Sequence, residues 1–107
     1  MDHVLIFDSD SKHAAELRRG LESVGCEVGV YGDAKDDLEL IRSVCPELVL
    51  VVPRTPMTLE DALASVHSAV RHLERQPELL FVLRWTPRGI VERLLGDRWN
   101  VQVLYER

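Results

Sequence analysis

The segment "PELVLVV" (residues 46–52) decides the fold of this chain. Its residues Glu47–Val52 form the most strand-like run in the sequence, and Pro46 and Pro53 bound that run. A short, nearly continuous apolar run is typical of a parallel strand that is covered on both faces. The segment therefore predicts a buried strand whose last residue, Val52, lies at the carboxyl edge of a sheet.

Strands and helices alternate along the rest of the chain. Four more segments predict strands, namely His3–Phe7, Cys26–Tyr31, Leu79–Leu83 and Val101–Tyr105. Alternating βα units imply one parallel sheet with right-handed crossovers and helices on both of its faces. We therefore predict an α/β fold with a five-stranded parallel sheet.

Four helices are predicted from apolar residues at helical spacing. Their apolar positions are Ala14, Leu17, Leu21 and Val24 in the first, Ala34, Leu38, Ile41 and Cys45 in the second, Leu59, Leu63, Val66, Val70 and Leu73 in the third, and Ile90, Val91, Leu94 and Leu95 in the fourth. Thr58 and Asp61 resemble a capping box at the start of the third helix. Thr86 as N-cap and Pro87 at the first helical position predict the start of the fourth.

Composition narrows the class of protein. The 107 residues are 46% hydrophobic and 29% charged, as expected of one folded domain. The net charge of −5 is uneven, because most acids precede residue 53 and the chain is mildly basic from Arg84 onward. This asymmetry favours protein docking over nucleic-acid binding. The chain has no secretory signal and no apolar run long enough to span a membrane, so we expect a cytoplasmic protein.

A fifth helix normally follows the fifth strand of such a sheet, and this chain has none. We expect either that residues 1–107 form the amino-terminal domain of a longer protein, or that a partner covers this part of the sheet. An uncovered apolar strip would be a liability in a monomer.

The sequence resembles the receiver domains of bacterial response regulators. The resemblance rests on "HVLIFDSD" (residues 3–10), "LRRGLESVGCEV" (residues 17–28) and "PELVLVVPRTP" (residues 46–56). Pro56 falls four residues after Val52, as the family's proline falls four residues after its phosphoacceptor aspartate. The resemblance implies the flavodoxin-like strand order 2-1-3-4-5 and extends over the whole chain, apart from the missing last helix.

The positions that carry phosphotransfer in receivers are altered here. Asp8 keeps the first of the two metal-binding acids, Ser9 replaces the second, and Val52 replaces the nucleophile. Arg84 stands at the hydroxyl position that ends strand four. No lysine follows Lys35, so Tyr105, Glu106 or Arg107 stands at the lysine position that ends strand five. The resemblance thus implies a pseudo-receiver that is not an enzyme and that uses neither metal nor cofactor.

Several roles remain open for the polar residues of the altered pocket. Asp8 and Asp10 either cap the first helix, which is the commoner role of such residues, or bind a cation, or accept a phosphoryl group. Arg84 either pairs with Asp8 or Asp10 in place of magnesium and lysine, or points to solvent. The four histidines, at positions 3, 13, 67 and 72, lack metal-ligand spacing and are interpreted as structural or surface residues.

Aromatic and arginine residues near the ends of strands four and five predict an interaction surface. These residues are Arg84, Trp85, Arg88, Arg98, Trp99 and Tyr105. Tryptophan, tyrosine and arginine are the side chains that most often anchor protein interfaces, although the two tryptophans also suit partly buried packing positions. We predict a phosphorylation-independent module that binds a protein partner, or a second copy of itself, through the side of strands four and five. The alternatives are a receiver phosphorylated on Asp8 or Asp10 and a flavodoxin-like binder of a small ligand.

Overall fold

The computed structural model describes residues 2–32, 39–53, 56–71, 73–83, 89, 93 and 102–105. The elements in these ranges are β1 (His3–Phe7), α1 (Ser11–Glu22), β2 (Glu27–Tyr31), α2 (Glu39–Val44), β3 (Leu48–Val51), α3 (Pro56–Val70), β4 (Glu78–Leu83) and β5 (Gln102–Tyr105). Gly89 and Arg93 have helical backbone within the predicted fourth helix, and the rest of that segment lies outside the described residues.

The five strands form one parallel sheet in the order β2-β1-β3-β4-β5. Val4 of β1 pairs with Val28 of β2 and with Leu48 of β3, so β1 lies between them. The predicted fold class and strand order are confirmed. In this order the carboxyl ends of β1 and β3 are neighbours, which places Asp8 and Val52 at the same edge of the sheet.

Helices cover both faces of the sheet. On one face, Leu5, Val49 and Phe81 pack with Ile41 of α2 and Val66 of α3. On the other face, the alternate strand residues, which include Val4, Ile6, Leu50, Val52 and Val82, pack with Leu17 and Leu21 of α1. Consecutive strand residues point to opposite faces, so a strand that is apolar throughout contributes to both layers.

Three predicted details at helix ends were wrong. Val24 is 75% exposed because α1 ends at Glu22 and the chain turns there, with Gly25 at a φ of 93°. Thr58 does not cap α3, which begins at Pro56. Proline suits the first helical position because its φ is preset and it has no N–H to leave unbonded. Cys45 and Leu73 follow their helices, although Leu73 still packs against the core.

The face of β5 on the α1 side is partly open. Leu104 pairs with Val82, which places both side chains on that face, and Leu104 is 48% exposed. Val103 and Tyr105 point the other way and pack against the cluster beneath α2 and α3. Leu104 is therefore an exposed large apolar residue on this face among the residues that the structure describes, and the predicted uncovered strip stays a prediction.

Glu47 joins the amino ends of β1 and β3. Its Oε2 accepts a hydrogen bond of 2.5 Å from the N–H of His3, and this bond is the main cause that lowers the pKa of the Glu47 carboxyl below its usual value of 4.5. A carboxyl with a lowered pKa in the folded state stabilises the fold above its unfolded pKa, and this contribution disappears as the pH falls through the folded pKa. The stability of this edge of the sheet therefore depends on whether the Glu47 carboxyl is ionised.

We expect Glu47→Gln to be less stable than the wild type at neutral pH, with a difference that shrinks as the pH falls below 4.5, the ordinary value for this carboxyl. Urea unfolding over a series of pH values measures this difference. Glu60→Gln is the control, because Glu60 is exposed on α3. A difference between Glu47→Gln and the wild type that stays constant with pH would contradict the assigned hydrogen bond.

Candidate functional site

Three strand ends meet at the carboxyl edge of the sheet. The N–H of Asp8 donates to the carbonyl oxygen of Tyr31 at 2.9 Å, and the N–H of Val52 donates to the carbonyl oxygen of Phe7 at 3.0 Å. Phe7 and Val51 are paired across β1 and β3, so Asp8 and Val52 are the next two residues in the same register. Binding sites of open α/β sheets lie at this edge.

Asp8 is buried and both of its carboxylate oxygens are engaged. The residue is 4% exposed, and its Oδ1 accepts the N–H of Asp10 at 2.9 Å. Its Oδ2 lies 2.5 Å from Nδ1 of His13, which is 7% exposed. A buried carboxylate must be paired or hydrogen-bonded, and here the backbone and one imidazole meet that need.

Asp10 caps α1 and so holds His13 in place. Its Oδ1 accepts the N–H groups of Lys12 at 3.1 Å and of His13 at 3.3 Å. Satisfying these first-turn donors fixes the start of α1. Because His13 is the third residue of the helix, the cap places its ring beside the end of β1. The helix-cap interpretation of Asp10 is confirmed, and Ser9 between the two acids is exposed.

Val52 belongs to the apolar core. It is 8% exposed and packs in the cluster that contains Ile6, Leu50 and Val82. Pro53, which follows, is also buried. An alkyl side chain offers no lone pair to a phosphoryl donor, so this position has no nucleophilic chemistry.

The partner of Asp8 is His13, which sequence reasoning placed only among the structural or surface residues. The predicted partner Arg84 lies outside the described residues, and its pairing stays a prediction. One signal in the sequence was available: Asp8 and His13 flank the capping residue Asp10, so the first turn of the helix brings them together. Spacing alone did not reveal this contact, because it depends on how α1 leaves the strand.

The predicted interaction surface is described at one position only. Tyr105 ends β5 and is half-buried against the cluster beneath α2 and α3. Trp85, Arg88, Arg98 and Trp99, like Arg84, lie outside the described residues. Leu104, which the sequence analysis did not single out, is the exposed apolar residue next to Tyr105.

In the described part of the chain, no group of three or more histidine, cysteine, aspartate or glutamate residues is arranged to hold a metal ion. None of the helices described is long and apolar enough to cross a membrane.

The strand order, the helices on both faces and the acidic residue after β1 define the flavodoxin-like fold of receiver domains. The signal receiver domain of a modulated diguanylate cyclase from Desulfovibrio desulfuricans G20 has this fold with a TM-score of 0.76 and 21% identity, over 99% of this chain and 82% of that one. The response regulator receiver protein from Burkholderia phymatum matches with a TM-score of 0.64 and 20% identity, over 99% and 83% of the two chains.

A pseudo-receiver has the same fold. The pseudo-receiver domain of the CikA protein matches with a TM-score of 0.69 and 18% identity, over 100% of this chain and 86% of that one. No protein-family model matches the sequence, and no curated protein matches it. At these identities the likeness shows the receiver fold alone.

Proposed function

We propose that this chain is a pseudo-receiver, a module of bacterial signal transduction that binds a protein partner without being phosphorylated. One observation carries the proposal: Val52 fills the position of the nucleophile with buried apolar volume, next to an Asp8 whose two oxygens are already bonded. Among the residues that the structure describes here, the nucleophile position therefore carries no group that could accept a phosphoryl group, and the carboxylate of Asp8 is committed to contacts within the protein.

His13 supports this proposal by its contact with Asp8. In receivers, the acid after β1 holds a divalent cation, which needs oxygen ligands. Here an imidazole nitrogen occupies one carboxylate oxygen of Asp8, and a backbone N–H occupies the other. A cation at Asp8 would have to compete with these partners for the carboxylate oxygens. The site is thus suited to a fixed structure, whereas a phosphorylation switch needs two states that differ in bound metal and phosphate.

The partner surface is proposed on the side of β4 and β5. Leu104 is exposed there, and an exposed large apolar residue at an interface centre contributes to binding by its burial. The predicted anchors Arg84, Trp85, Arg88, Arg98 and Trp99, together with Tyr105, extend this surface. We propose that residues 1–107 act in the cytoplasm as one receiver-like domain, with a protein as partner and no enzymatic activity or cofactor of their own.

Incubation with acetyl phosphate and magnesium, followed by intact-mass measurement, tests the lack of phosphotransfer. We expect the mass to remain unchanged, while a receiver domain that keeps its aspartate gains a phosphoryl group under the same conditions. A stable phosphoryl adduct would overturn the proposal. Asp8→Asn and Asp10→Asn would then locate the adduct and decide whether either acid is the acceptor.

A further inference from the structure

We draw no further inference here: the strongest candidate, the cavity of about 400 Å³ along the edge strand β2, is lined by charges that pair within the chain, Arg18 with Glu22 and His3 with Glu27, and nothing in the structure shows what covers it.

Discussion

Val52→Asp is expected to lower the free energy of unfolding by about 3 kcal/mol at neutral pH, because it buries an unpaired carboxylate in an apolar cluster. Val52 is 8% exposed and is followed by a buried proline, so the new charge has little access to water. The Asp8 carboxylate at the neighbouring strand end adds repulsion. The substitution that restores the receiver's phosphoacceptor is therefore predicted to harm this fold.

The pH dependence of the stability of Val52→Asp separates the effect of the buried charge from the effect of the lost valine packing. Burial and Asp8 both raise the pKa of the introduced carboxyl in the folded state, so the variant is least destabilised in acid and loses stability as the pH rises. Val52→Asn is the matched control, since it has the same shape and no charge. Urea unfolding of both variants at a series of pH values measures how the free energy of unfolding of each depends on pH. Parallel pH profiles for the two variants would show that Val52 does not lie beside Asp8 in a closed pocket.

His13→Ala is expected to cost about 3 kcal/mol, because breaking a buried pair leaves the charge of the other partner uncompensated. Asp8 would keep the N–H of Asp10 on one oxygen and lose the imidazole on the other. Lys12→Ala is the control. Lys12 is the neighbouring exposed residue of the same first turn, and its removal is expected to change stability by about 0.5 kcal/mol or less.

A double-mutant cycle tests whether the two residues act as a pair. Asp8→Asn and His13→Ala are each measured alone and then together by urea unfolding. We expect a coupling free energy of about 2 kcal/mol, with the double variant more stable than the sum of the single losses implies. Additive losses would mean that His13 stabilises the fold through packing alone, and the argument that it replaces the cation beside Asp8 would fail.

The core pattern was predictable because it depends on local alternation. Continuous apolar runs such as Leu48–Val51 indicated strands with two covered faces, and the structure has both layers. Helix ends were less predictable. Val24 has helical spacing from Leu21, yet the turn at Gly25 takes it out of the helix. Apolar spacing alone does not take into account the residues that follow, and their backbone preferences can end a helix earlier than the spacing indicates.

The sequence by itself determined the sheet, its strand order through the receiver resemblance, and the absence of a nucleophile at Val52. It also indicated the cap at Asp10, because an acid before a helical run has a local partner in the first turn. Only the tertiary structure decided that Asp8 pairs with His13. This contact depends on how α1 is placed against β1, which residue spacing does not specify.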